Sequence, residues 1–191
     1  MTKLVLLASI AAASVLVPVA AQAAPANIVV VDNERVFAEC NACRSATAQL
    51  QAQATALKNR QQTLAAPLQT EAQALQAAAD ALKGKAPDPA LQARAAAFQA
   101  KQNSANQELS RLQQNLQSSQ ANVLRQINAK LGPIYSQVMT AKGANLAVDE
   151  NSTLAHGAAL DVTNEVLAAL NAALPSVSVT PGAATAAPQG R

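Results

Sequence analysis

The chain has 191 residues, with 14 basic side chains against 11 acidic ones and a net charge of +3. Half of it is apolar, yet it holds only three aromatic residues (Phe37, Phe98, Tyr135), no Trp and 48 alanines. An α/β enzyme core of this size buries several aromatics and many β-branched residues, so the composition argues against that class and for long helices packed at close range.

The first segment reads as a secretory signal peptide: Lys3, an apolar run from Leu4 to Val17, then Pro18 and the small-x-small sequence Ala21-Gln22-Ala23. The run is shorter than the roughly 20 residues a spanning helix needs. Cleavage after Ala23 leaves Ala24–Arg191, 191 − 23 = 168 residues, in the periplasm. Export removes nucleic acid as a partner and ATP as an energy source.

Residues 24–43 form the first part of a small β base. Ile28-Val29-Val30-Val31-Asp32 is a β-branched run of the kind found in a strand buried on both faces, and a short helix follows over 33–39. Helix formers fill 33–83 and 90–142, stretches of 51 and 53 residues, and Gly84-Lys85-Ala86-Pro87-Asp88-Pro89 breaks them with a tip turn. Near-equal lengths around one turn predict an antiparallel helical hairpin, an arm over 44–142. Leu50, Leu57 and Leu64 are seven apart, as are Leu68, Leu75 and Leu82 after a four-residue shift. On the return stretch Leu91, Phe98, Ala105 and Leu112 keep the spacing, and Leu124, Ile127, Leu131, Ile134, Val138 and Ala141 form a three–four seam. Pro67 and Gly132-Pro133 lie inside these stretches. An interior proline costs roughly 3 kcal/mol, so each predicts a kink or a break.

Gly143 ends the second stretch as a C-cap. Residues 143–174 then supply the second part of the base: a strand over Ala144–Asp149, a turn at Glu150-Asn151-Ser152, a short return at Thr153–Ala155, and a helix over Val162–Leu174 capped by Asp161. Ser176–Thr180 alternates as an edge strand does, and the Pro/Ala-rich tail over 175–191 reads as disordered from Pro181 onward. The fold class is mainly α with a small β base, a long coiled-coil hairpin inserted between two halves of that base.

The Ile-Val-Val-Val-Asp run before Asn33-Glu34-Arg35-Val36-Phe37, the long hairpin, the Lys142–Asp149 segment and the closing Asp161-Val162-Thr163 helix resemble the Skp (OmpH-like) periplasmic chaperones. The resemblance spans nearly all of Pro25–Leu174 and rests on the order of parts and the two strand motifs. It implies a homotrimer whose bases form one β-barrel-like body, with three arms around a cavity that holds unfolded outer-membrane proteins. Ile28, Val29, Val30, Val31, Leu146 and Val148 would build the oligomerisation base. The cysteine pair and the tail depart from the family pattern.

Charge is segregated along the chain. Residues 44–142 carry eleven basic and four acidic side chains, a balance of +7, while the rest of the exported chain carries two against seven, a balance of −5. Scattered Lys and Arg usually make a solvated face, but a basic arm also attracts acidic polypeptide or an anionic membrane surface. Lys58, Arg60, Lys83, Lys85, Arg94, Lys101 and Arg111 are the candidate client-binding residues.

Motifs for chemistry are sparse. There is no phosphate-binding Gly-Lys-Ser/Thr loop, no cofactor is implied, and His156 is the only histidine, so a triad or three-His metal site cannot form within one chain. Asp149 and Glu150 are adjacent and would face opposite sides of a strand. Cys40-Asn41-Ala42-Cys43 has the C-x-x-C spacing, but Arg44 stands where haem attachment needs His. A local disulfide closing the base–arm junction, free thiols, and redox or metal work remain open for this pair. Three functions follow: a non-enzymatic, ATP-independent holdase, a structural coiled-coil spacer or adaptor of the cell envelope, and a redox or metal protein built on the two cysteines.

Overall fold

A computed structural model describes residues 26–181. The expected signal peptide and the last ten residues of the tail lie outside them. The elements are β1 (Ile28–Val31), α1 (Asn33–Glu39), α2 (Asn41–Ala81), α3 (Pro89–Lys142), β2 (Leu146–Asp149) and α4 (Thr163–Ala173), with single 3-10 turns at Glu150–Ser152 and Ala158–Leu160.

Local chemistry sets most boundaries. Asp32 caps α1 by accepting a hydrogen bond from the Arg35 N–H at 2.8 Å. Cys40 is extended, ends α1, and caps α2 through its Sγ, which accepts from the Cys43 N–H at 3.0 Å. The next α2 donor, the Asn41 N–H, is satisfied by Asn171 Oδ1 from α4 at 2.8 Å. At the tip, Lys83 and Gly84 take the left-handed conformation with φ of 49° and 85°. Asp88 then caps α3 by accepting from the Leu91 N–H at 2.7 Å, with Pro89 as the first helical residue. Gly143 closes α3 at φ 63°, and the pair Ala144 N–H to Met139 O and Gly143 N–H to Thr140 O completes a Schellman motif.

Both helices run on through their prolines, so of the expected kink or break at Pro67 and Pro133 the break does not occur. At Pro133 the reason is packing. Leu131 and Ile134 on either side are 3% and 4% exposed, and their burial offsets the lost backbone hydrogen bond. At Pro67 the flanking Leu64 and Leu68 both lie in the seam with α3.

β1 and β2 pair in parallel, with Ile28 opposite Leu146 and Val30 opposite Val148. On the other side of β1 the Val162 N–H donates to Val30 O at 2.9 Å, so β1 is the central extended segment. Asn27 fastens the start of this pair to the end of the arm: its Nδ2 donates to Gly143 O at 2.9 Å and its N–H to Asn145 Oδ1 at 3.0 Å. The core lies where β1, α1, the roots of α2 and α3, and α4 converge, and it contains Val29, Val31, Val36, Cys40, Ile127, Leu131, Ile134, Val162, Val166 and Leu170. Away from the root the arm is held by one seam. The heptad residues Leu50, Leu57, Leu64, Leu68, Leu75 and Leu82 are half-buried, as are Leu91, Phe98 and Leu112, while Ala105 is buried.

Three expectations are corrected. Leu124 is 51% exposed and Ala141 is exposed, so neither is in the seam, which runs through Ser119, Val123, Ile127, Leu131, Ile134 and Val138. Four-residue steps, natural to a 3.6 period, replace the strict three–four alternation from Ser119 to Leu131. Thr153–Ala155 is not a strand; 3-10 turns flank it. Ser176–Thr180 alternates in burial but pairs with no strand among the described residues; side-chain amides of α2 and α3 bond its backbone instead. Asp161 does serve the start of α4, accepting from the Thr163 N–H at 2.8 Å, although the helix begins at Thr163.

The seam correction is testable in urea. Ile127→Ala should destabilise the protein by about 2–5 kcal/mol, whereas Leu124→Ala should stay within about 0.5 kcal/mol of wild type. Equal losses would restore Leu124 to the seam.

Candidate functional site

Two surfaces and two small clusters contain every residue singled out by the sequence. The first surface is the arm. Lys58, Arg60, Lys83, Lys85, Arg94, Lys101 and Arg111 are all exposed, but they are not equivalent. Arg60 of α2 forms a two-pronged bond with Glu108 of α3, Nε to Oε1 at 2.7 Å and Nη2 to Oε2 at 3.0 Å. The guanidinium hydrogen bond holds Glu108 below the ordinary carboxylate range and raises Arg60. Lys101 of α3 reaches Glu71 of α2 at 2.7 Å. These pairs cross the seam and fix which height of α2 faces which height of α3. Lys58, Lys83, Lys85, Arg94 and Arg111 make no ion pair among the described residues, and three of them, Lys83, Lys85 and Arg94, crowd the tip.

Shallow grooves lie along the seam between these charges. One is lined by Leu57, Leu109 and Leu116 with Gln61, Gln113, Gln117 and Gln120. Another, near the tip, is lined by Leu75, Leu82, Leu91, Phe98 and Gln76. Leucine floors with glutamine walls offer apolar contact and adaptable amide hydrogen bonds, but no fixed constellation that could activate a bond.

The second surface is on the base. Period-two alternation divides the proposed oligomerisation residues. Val29 and Val31 point into the core. Val30, on the opposite face, is 2% exposed, beside the turn that carries Asp161. What remains open is Leu146 at 46%, with Leu154 at 108% and Leu160 at 37% nearby in sequence, and no strand pairs with the outer edge of β2 among the described residues. An unpaired edge next to exposed leucines is a surface that water solvates poorly.

The small clusters are structural. Cys40 and Cys43 form a disulfide, with exposures of 0% and 4%, so a thiol partner has no direct access to the sulfurs. Among the described residues no group of three or more His, Cys, Asp or Glu could hold a metal ion. Asp149 and Glu150 do not work as a pair: Asp149 Oδ2 accepts from Asn33 at 2.5 Å, and Glu150 Oε1 bonds His156 Nε2 at 3.1 Å. Asn33 Oδ1 in turn accepts from the Tyr135 hydroxyl at 2.5 Å, and burial, then the Asp149 charge, raise the Tyr135 pKa. No helix among the described residues is long and apolar enough to cross a membrane. The sequence reading missed Gln53, Asn122 and Gln126, which grip the backbone of residues 178–180; glutamine and asparagine on a helix surface carry no signal of what they hold.

The profile of the outer membrane protein (OmpH-like) family matches residues 27–170. In fold the chain is similar to a candidate OmpH-like outer membrane chaperone from Caulobacter crescentus CB15, with a TM-score of 0.66 and 22% sequence identity, over 82% of this chain and 90% of that one. No curated protein matches the sequence.

The His156–Glu150 bond gives a pH signature. The hydrogen bond to Glu150, then the one to Gly157 O, raise the His156 pKa above 6.5. A raised histidine contributes stability that is complete below the unfolded value and is lost as pH rises through the folded one. Wild type should therefore melt above His156→Gln at pH 6, and the gap should close as pH rises through the raised folded value of the histidine. An undiminished gap at higher pH would show that the histidine acts through packing.

Proposed function

The chain belongs to the OmpH-like outer membrane protein family, and from that premise we propose that it is an ATP-independent periplasmic holdase that keeps unfolded outer-membrane proteins soluble. Export would follow cleavage after Ala23. The observation that supports this reading best is the contrast between root and arm: a tight core confined to the base, and two long helices that expose leucine–glutamine grooves and unpaired basic side chains. Many weak contacts of that kind give affinity through multivalency without selecting one sequence. Release needs no energy source, since a client that folds into the membrane leaves by mass action.

In this reading the protein acts as a homotrimer. Leu146, Leu154, Leu160 and the open edge of β2 would be the joining surface, and three coiled-coil arms would enclose the client. The tip cations Lys83, Lys85 and Arg94 would speed capture of acidic segments or contact an anionic membrane surface. The envelope-spacer reading draws support from the cross-seam pairs Arg60–Glu108 and Lys101–Glu71, which close the arm on itself.

One experiment separates the two: dilution of a urea-unfolded outer-membrane protein into the purified chain without nucleotide. A holdase suppresses aggregation in proportion to its concentration; a spacer leaves it unchanged. Light scattering of wild type should give a trimer, and Leu146→Asp should give smaller species. Replacing Lys83, Lys85 and Arg94 by Glu should weaken client binding several-fold at low salt and little at 1 M, where the Debye length is roughly 3 Å. Equal binding by this variant at low salt would reduce the charge to a solvated face.

A further inference from the structure

The segment after α4 lies against the arm in a way its sequence makes unusual. Ser176-Val177-Ser178-Val179-Thr180 alternates strictly, with Val179 6% exposed in the core, Val177 half-buried, and the hydroxyl residues outside. Its backbone is held by side chains of both arm helices. Gln126 of α3 bonds both backbone groups of one residue: Nε2 donates to Ser178 O at 2.9 Å, and Oε1 accepts from the Ser178 N–H at 3.0 Å. That is the exchange a neighbouring strand makes in an antiparallel ladder. Asn122 Nδ2 donates to Thr180 O at 3.1 Å, and Gln53 Nε2 of α2 donates to Val179 O at 3.1 Å.

None of these four bonds reads a side chain. The cleft requires only an extended backbone with an apolar residue at every second position. It also continues past the segment: beyond Pro181 the groove between the helices is lined by Leu57, Leu112, Leu116 and Ser119. Among the described residues the Ser119 hydroxyl is buried there without a hydrogen-bond partner, a cost that an incoming backbone group could remove.

We propose that this cleft at the root of the arm is a binding site for extended client segments with alternating apolar and polar residues. Residues 176–181 are its resident occupant, which a client displaces. Alternation of this kind is the signature of strands in membrane-spanning barrels, so the proposal rests on the holdase reading and names which part of a client is gripped. The tethered segment acts as a competitor at an effective concentration on the order of millimolar. Weak or non-alternating chains are thereby refused, while a client offering several strands at once prevails.

The peptide of residues 175–181, acetylated, amidated and dye-labelled, tests the site without any client. By anisotropy it should bind the full-length Val179→Asp chain at least tenfold more tightly than wild type, whose cleft is filled, and a peptide with both valines changed to Asp should bind neither. Equal affinity for the two chains overturns the proposal. Hydrogen exchange on wild type alone guards against a variant that folds poorly: adding client should speed exchange at residues 176–181. Unchanged protection there in a client-bound protein also overturns it. A protein that binds no client fails the holdase reading, and the peptide result then decides the cleft by itself.

Discussion

Two strands that run in the same direction cannot be joined by a tight turn; the chain must travel back before it can pair again. Here the strands are β1 and β2, the register sets Val31 beside Asp149, and the return path is the arm. Everything else follows from that pairing. It brings the two ends of a 41-residue and a 54-residue helix to one place, gives α4 a platform on β1 and α3, and gathers the main buried apolar cluster at the root. Disulfide-bonded Cys40 and Cys43 sit at the first bend of the path, and Asn27 and Gly143 at its close.

The arm that results has polar and apolar surface finely mixed. Its seam is made of half-buried leucines rather than a continuous core, so the helices remain partly available to other apolar groups. The cross-seam pairs are exposed, and exposed ion pairs contribute little net stability; their effect is to select register. The base is its complement, with acidic residues tied into local bonds: Asp161 to Thr163, Glu165 to Lys142, Asp149 to Asn33. Both carboxylates at the start of α4 are held below their ordinary range, chiefly by those hydrogen bonds. With these base carboxylates held in local bonds, the arm carries the excess of unpaired cations that can meet an acidic partner.

Much of this was legible in the residues. The β-branched run, the glycine and proline turn at the tip, the Gly143 stop and the sevenfold leucines each carry a local physical signal, and the elements lie where those signals put them. The failures share a cause: each depended on a distant partner. Proline interrupts a helix only when nothing compensates, and the packing of Leu131 and Ile134 does. Leu124 fits a heptad by count, but the buried stripe of α3 runs through its neighbour Val123, beside the helix face on which Asn122 and Gln126 hold residues 178–180. The alternating Ser176–Thr180 looked like a strand because alternation reports an extended, half-buried chain and not what bonds its backbone. Among candidate site residues, the sequence located the arm cations but could not say that Arg60 and Lys101 are already paired, which depends on the relative height of the two helices.

The path between β1 and β2 also bears on how the chain folds. Joining residues 31 and 146 through a random coil of that length would carry the loop-closure entropy of more than a hundred residues, which grows as (3/2)RT ln n. Helices are made of local contacts and form in microseconds or less. Once α2 and α3 have formed and zipped from the tip, with Gly84 as the pivot, the strands are delivered to each other by a short, stiff carrier and the remaining closure is small. The slow, non-local step that limits most parallel sheets thus becomes the last movement of a local one, and the hairpin is the chain's own guide to its base.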